Sequence, residues 1–424
     1  MEDYANALMY AIPGFVVLIL IEAIVAWVRG VDIQNSMDTI SSLSSGLTNT
    51  LAAMLGWSVV IVSYDFMVTH FAIFTIENTA LVFILAFIGK DFAQYWSHRF
   101  EHKINVFWNR HIVHHSSEEF NLSCALRQEI SAIIGVFFFL YIPMAILGLK
   151  TDIVATVLAI HLFAQFWYHT RLINKMGFLE HLIVTPSHHR VHHAINDEYL
   201  DKNFAPIFII WDKMFGTFQA ELDDVPPVYG VKKPVNTWNP ILINWMHFWQ
   251  LTKDAWRTRK LWDKVRIWFM PTGWRPEDVS KKYPIEITTN PYTRPKYQPE
   301  ASTALKAWSW AQLVIANIMV YHLIAVIAGF GVINVVLYGM FVMVMVFAYT
   351  TLMDRHRLAI PVELFKFAFG AFILYQTGGW FGIDEYFANG AYIVAGYMLV
   401  SLLAAVYFSV FEKNKAYVKQ TASY

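Results

Sequence analysis

Apolar and polar positions in this chain fall into long blocks rather than short alternations. Apolar runs of about 17 to 25 residues are long enough to cross a bilayer as helices. They lie near positions 9 to 28, 48 to 68, 79 to 97, 129 to 149, 151 to 168, 305 to 328, 331 to 350, 358 to 378 and 390 to 411. The pattern predicts an all-α integral membrane protein, a multi-span helical bundle of about nine apolar helices. Only Leu149, Lys150 and Thr151 separate the fourth run from the fifth, so a re-entrant hairpin there is the alternative; either version returns the chain to the same side. The first run is too long, and lacks the small-residue cleavage site, for a removable signal peptide, and is expected to stay as a span.

The polar segments set an expected orientation, because Lys and Arg concentrate on the cytoplasmic side of short loops. With the amino terminus outside, the inner segments collect Arg29, then Arg99, Lys103, Arg110 and Arg127, then the basic stretch from Arg171 to Lys296, then Arg355 and Arg357, and finally Lys413, Lys415 and Lys419. The outer loops keep only Lys150. A proline-rich stretch from 197 to 304 interrupts the apolar blocks and reads as a cytosolic, histidine-rich cap with its neighbours. Within it, NPILINWMHFWQLTKDAWRTRKLWDKVRIWFM interleaves Trp and Phe with Lys and Arg, as a helix lying in the headgroup layer would. An ordinary amphipathic helix packed on the cap explains it equally well. Four regions are expected: membrane helices over 1–78, a catalytic region over 79–220, a cap over 221–304 and a four-helix membrane region over 305–424.

Composition strengthens the membrane reading. The chain is 56% hydrophobic and only 15% charged, so its apolar excess must face lipid. Its net charge of zero removes the basic excess that nucleic-acid binding needs, and no nucleic-acid partner is expected. A single cysteine, Cys124, excludes an intramolecular disulfide, a CxxC redox pair and a thiolate iron–sulfur cluster. Metal chemistry would have to rest on nitrogen and oxygen.

The histidines supply that chemistry. WSHRFEH places His98 and His102 four apart at the end of the third run, on one helix face. RHIVHHSS then gives an HxxHH pattern, His111, His114 and His115, and PSHHRVHH repeats it with His189, His192 and His193, with His188 as an extra. Within such a motif the last two imidazoles diverge, which suits two ions a few ångströms apart. One histidine near a membrane surface is usually a packed or solvated side chain; three clusters expected on one side of the bilayer favour ligation. His70, His161, His247, His322 and His356 lack this company and read as packing or interfacial residues. Donor type alone leaves Zn, Cu, Fe or Ni open. Eight or more imidazoles overfill one zinc, however, and point to two ions. Carboxylates are sparse, and Glu101, Glu118, Glu119, Asp197 and Glu198 could orient imidazoles from outside, with plain surface charge the simpler role for Glu118 and Glu119.

HxxxH, HxxHH and HxxHH between membrane helices resemble the fatty acid hydroxylase and sterol desaturase superfamily of membrane di-iron oxygenases. Tyr95 to Gln128, Gln165 to Asn196 and Asp201 to Phe218 resemble one branch in particular, the alkylglycerol monooxygenases. The resemblance implies His98, His102, His111, His114, His115, His189, His192 and His193 as ligands of two non-haem irons, with His169 joining them although Gln165 stands where its HxxxH partner would be. It implies an O2-dependent monooxygenase that hydroxylates the carbon next to the ether oxygen of an alkylglycerol, giving a fatty aldehyde and a glycerol derivative, with tetrahydrobiopterin as reductant. No Rossmann fingerprint or fused haem module is evident, so electrons are expected from a diffusible pterin or a separate redox protein. Trp96, Phe166 and Trp167 could line a substrate channel or simply pack. The rival readings are a sterol, carotenoid or fatty-acyl hydroxylase or desaturase, and a histidine-rich metal transporter, against which the polar residues crowd at one face rather than at mid-membrane. The membrane is expected to be a bacterial inner membrane or the endoplasmic reticulum.

Overall fold

The computed structural model describes residues 2–412 and is helical, with no β-strand among the described residues. In chain order the helices are α1 (Glu2–Arg29), α2 (Ser36–Met54), α3 (Tyr64–Phe71), α4 (Thr79–Lys103), α5 (Asn105–His115), α6 (Ile142–Ile146), α7 (Thr151–Ala164) and α8 (Pro186–His193). They continue with α9 (Ile210–Met214), α10 (Pro240–Arg257), α11 (Leu261–Arg266), α12 (Glu277–Lys282), α13 (Thr303–Val326), α14 (Val332–Met353), α15 (Ala359–Thr377) and α16 (Gly390–Val406). Among the described residues, the last four are long and apolar enough to cross a membrane, α16 together with the turn that follows it. Lys413, Lys415 and Lys419 lie outside the described residues.

Two of the nine expected spans are not single helices. The run 48 to 68 ends α2, passes through Gly56 at φ +64° and an extended segment, and resumes in the eight-residue α3, capped by Ser63 accepting the Phe66 N–H. The run 129 to 149 is extended, then 3-10, then the short α6 with Pro143 inside it. The extended parts satisfy each other: the Val59 N–H donates to the Ile133 carbonyl at 2.6 Å and Gly135 N–H to the Val59 carbonyl at 2.9 Å. Run length and hydropathy do not distinguish a spanning helix from two apolar segments that pair with each other. At 14 residues, roughly 21 Å, α7 is also shorter than a bilayer core, which favours the hairpin reading of this pair.

Gly148 makes the α6–α7 reversal. It sits at φ +67°, and a Cβ there would fall 2.0 Å from the Phe74 carbonyl oxygen. A left-handed non-glycine residue costs about 1–2 kcal/mol before any clash. Gly148→Ala is therefore expected to lower the melting temperature of the detergent-solubilised protein; an unchanged melt would show that the turn yields easily.

The serine-rich α2 is the strut between the histidine-bearing helices and the C-terminal bundle. Ser41 donates to the Trp238 carbonyl at 2.7 Å, Ser45 to the Gln128 carbonyl at 3.0 Å, and the Ser44 hydroxyl meets the Tyr349 hydroxyl. Behind it α14 is the most enclosed of the four membrane-length helices, with Tyr338 stacked on Phe381 and Phe341 edge-on to Trp380. One face of α10 packs on α5, burying Ile243 and Leu251, while Trp249 and Trp256 remain exposed, so the aromatic-basic segment both packs and presents an aromatic face.

Candidate metal centre

The C-terminal turns of α4 carry His98 and His102. Ile104 then leaves the helical region at φ −121° and ψ 124°, which lets α5 fold back with His111, His114 and His115. The reversal is clamped by Asn105, whose side-chain amide donates to the Ile267 and Trp274 carbonyls and accepts from the Gly273 N–H. His247 on α10 holds the Asn105 carbonyl at 2.9 Å, a packing role as expected. Opposite α5 lies α8, started by Pro186 and carrying His189, His192 and His193, with His169 just beyond α7.

These nine imidazoles gather into two groups. His98, His102, His111, His115 and His192 form one, and His114, His169, His189 and His193 the other, with the candidate ligand atoms of each group within 4.8 Å of one another. The two HxxHH motifs interlock. In each, the i and i+4 pair joins one group and the i+3 residue crosses to the other: His111 and His115 against His114 on α5, His189 and His193 against His192 on α8. His188 belongs to neither group; its Nδ1 accepts the Thr185 N–H at the start of α8 and its ring lies against Phe218.

Backbone carbonyls orient four of the nine rings. His98 Nδ1 donates to Phe204 O at 2.7 Å, His114 Nδ1 to Arg127 O at 3.1 Å, His169 Nδ1 to Gln165 O at 3.0 Å and His192 Nδ1 to Lys202 O at 2.9 Å. A carbonyl can only accept, so each Nδ1 carries the proton and each Nε2 keeps a bare lone pair. Glu101 and Asp201 approach the Nδ1 atoms of His111 and His102 at 3.8 Å. Glu118 and Glu119 have a different role from surface charge: both are largely enclosed, Glu118 paired with Arg294 and Glu119 with Lys296 and Arg171. Gln165 serves His169 through its carbonyl, while its side chain pairs with Gln94.

Burial holds His111, His115, His192 and His193 well below the usual histidine range and pushes His114 down to about 4, so these rings are neutral near pH 7. Neutral imidazoles then face one another closely: His98 Nε2 to His111 Nε2 at 2.8 Å, His169 Nε2 to His189 Nε2 at 2.8 Å and His193 Nε2 to His189 Nε2 at 3.0 Å. The Nε2 atoms of His102, His115 and His192 are buried with no partner at all. In the other group His114 Nε2 and His169 Nε2, both bare because their Nδ1 atoms donate, stand 3.4 Å apart, and lone pairs so placed repel unless a cation lies among them, so the donor set fits a first-row transition ion in each group.

The groups open on a cavity of about 1060 Å³. His98, His111, His114, His169 and His189 line it, beside a polar margin of Gln94, Gln165, Glu101 and Arg110. Of the aromatics expected to line a channel, Phe166 does so, whereas Trp96 packs on Phe215 and Phe100, and Trp167 on Tyr168.

Three supports carried no motif. Asp38 on α2 forms a fully enclosed pair with Arg127 at 2.7 Å, and Arg127 supplies the carbonyl that orients His114. Glu22, buried on α1, accepts the Thr170 hydroxyl at 2.6 Å and the Leu122 N–H at 2.7 Å, pinning the segment next to His169. Asp91 on α4 accepts the Trp211 indole N–H and the Phe208 N–H, docking α9 beside the site. A lone carboxylate inside an apolar run is the signal that could have flagged Glu22 and Asp91; Asp38 lies in the polar segment between two runs and carries no such signal.

The fatty acid hydroxylase family matches residues 83–217, the segment that carries all nine clustered histidines. The alkylglycerol monooxygenase of Homo sapiens is 32% identical over 368 residues, 86% of this chain and 82% of that protein. Those of Danio rerio and Xenopus tropicalis are 37% and 32% identical, over 65% and 76% of this chain and 61% and 72% of theirs. No solved structure matches the chain. Likeness of that extent, continued well beyond the histidine motifs, means that the chain belongs to the alkylglycerol monooxygenase family.

Proposed function

We propose that this protein is an integral membrane monooxygenase that hydroxylates an alkylglycerol at the carbon next to the ether oxygen. The reading rests above all on two interlocked groups of neutral imidazoles opening on a cavity that is polar beside the histidines and apolar beyond them. His98, His102, His111, His115 and His192 would hold one non-haem iron and His114, His169, His189 and His193 a second. Bound there, iron supplies activation of O2 and oxidation of a C–H bond.

The chain's own part is placement. Helices α4, α5 and α8 carry eight of the imidazoles and each fixes one of them, His98, His114 or His192, through its Nδ1 donor, and the cavity holds the reacting carbon against them while keeping bulk water out. One oxygen atom of O2 enters the C–H bond, and the other leaves as water with two electrons and two protons from an external donor. Hydroxylation beside the ether oxygen gives a hemiacetal, which breaks its C–O bond to release a fatty aldehyde and the glycerol hydroxyl. Tetrahydrobiopterin or a separate redox protein at the cytosolic face is the proposed donor.

Aldehyde release from an alkylglycerol, with O2 and tetrahydrobiopterin, tests the reaction. Purified protein that holds iron yet forms no aldehyde would sink the ether-cleavage reading and leave a sterol, carotenoid or fatty-acyl substrate. We also place the histidine groups and the 221–304 cap on the cytosolic side of a bacterial inner membrane or the endoplasmic reticulum, with the amino terminus outside. Single cysteines test this: Ser280→Cys is expected to react with an impermeant thiol reagent only from the cytosolic side and Ala388→Cys, in the exposed loop between α15 and α16, only from the other. The reverse pattern would invert the topology.

A further inference from the structure

Helix α13 lies outside the matched 83–217 segment and carries no motif. It nevertheless has two distinct faces. Gln312, Ala316, Val320 and Leu323 are buried in the contact with α2 and α14. Trp310, Leu313, Val314, Asn317, Ile318 and Tyr321, at helical spacing, line the same cavity that reaches the histidines. We infer that this face of α13 is the wall along which the substrate's alkyl chain lies, and that Val314 and Ile318 set how long a chain the site accepts. The inference rests on the alkylglycerol reading.

The chemistry of the wall separates chain from headgroup. The polar margin is on α4, α5 and α7, where Gln94, Glu101, Arg110 and Gln165 stand beside the histidines. On α13 the wall is apolar apart from the Trp310 indole, which donates to Ser36, the Asn317 amide, which donates to the Leu313 carbonyl at 2.9 Å, and the Tyr321 hydroxyl at the far end. The direction along the helix is also fixed. The Trp310 indole donates to Ser36 at 2.7 Å, two residues from Asp38, whose partner Arg127 orients His114. Trp310 therefore marks the end near the metal groups, and Tyr321 lies eleven residues, roughly 16 Å, further along the axis. Val314 and Ile318, one turn apart, leave 54% and 58% of their surface uncovered by the described residues. An alkyl chain lying there would gain about fourfold in binding per buried methylene.

A series of alkylglycerols of increasing chain length, assayed for turnover and for displacement of a fluorescent alkyl probe from the full-length protein, tests the wall. Val314→Trp and Ile318→Trp are each expected to lower the long-to-short preference by about tenfold or more, the loss of two or so methylene contacts. The cut-off should fall at a shorter chain in Val314→Trp than in Ile318→Trp, because Val314 lies nearer the histidines. Ile318→Ala should extend the accepted length, which keeps the test open if a tryptophan variant fails to fold. Leu403→Trp, on an exposed part of α16, should leave the profile unchanged. Identical profiles in the parent and all α13 variants would overturn the inference and leave this face to bilayer lipid. Absence of turnover in the parent with probe displacement intact would instead count against the alkylglycerol reading.

Discussion

Purified His114→Ala and His192→Ala proteins are each expected to lose a large share of the iron carried by the parent chain. Aldehyde formation should fall by on the order of a thousandfold or more, because residues acting through one centre fail together. The two positions probe different groups: His114 on α5 belongs to the four-histidine group and His192 on α8 to the five-histidine group. Each is the residue that crosses from its own motif to the other group, so removing it also removes one of the two links between α5 and α8. His188→Ala is the control, since that ring sits outside both groups against Phe218. It should keep its metal. Unchanged iron in both His114→Ala and His192→Ala would remove the ligand assignment, whatever the activity did.

Asp38→Ala is expected to be the most destabilising single change away from the histidines. Asp38 and Arg127 are both about 2% exposed, and the carboxylate accepts Arg127 Nη2 and the Ser117 hydroxyl, each at 2.7 Å. Removing it leaves a guanidinium enclosed without its counter-charge, a defect of about 3–5 kcal/mol. The damage should reach the metal centre, because the Arg127 carbonyl fixes the His114 ring; loss of such outer support commonly weakens metal binding by about 10- to 100-fold. Melting temperature and iron affinity should therefore fall together in Asp38→Ala. A normal melt with normal iron would mean that Ser42 and Ser116, which also receive Arg127 donors, are sufficient on their own.

The histidine groups were legible because their logic is local. On a helix, residues three and four apart share a face, so HxxxH and HxxHH carry most of their geometry in their spacing, and the divergence of His114 from His115 and of His192 from His193 follows from adjacency alone. Even the difference between His188 and His189 depends on one residue of register, which the recurrence of HxxHH supplied. The position of His169 did not follow from spacing: no partner histidine stands at 165, and what orients the ring is the backbone of Gln165. The runs 48 to 68 and 129 to 149 misled for a related reason. Hydropathy measures what a segment avoids, and both segments avoid water, but they meet their backbone needs partly by pairing Val59 with Ile133 and Gly135.

By itself, then, the sequence determined that this is a helical membrane protein and that its imidazoles come in spaced clusters, one HxxxH and two HxxHH, whose adjacent members diverge. These are properties of composition and of short-range periodicity, and a helix expresses them wherever it lies. The tertiary structure decided what depends on segments far apart in the chain: which imidazole joins which group, the Asp38–Arg127 pair that spans 89 positions to hold His114, the Glu22 anchor beside His169, and the placement of α13 against the cavity. Such contacts leave no periodic trace, because each is made by one residue meeting another through the packing of whole helices.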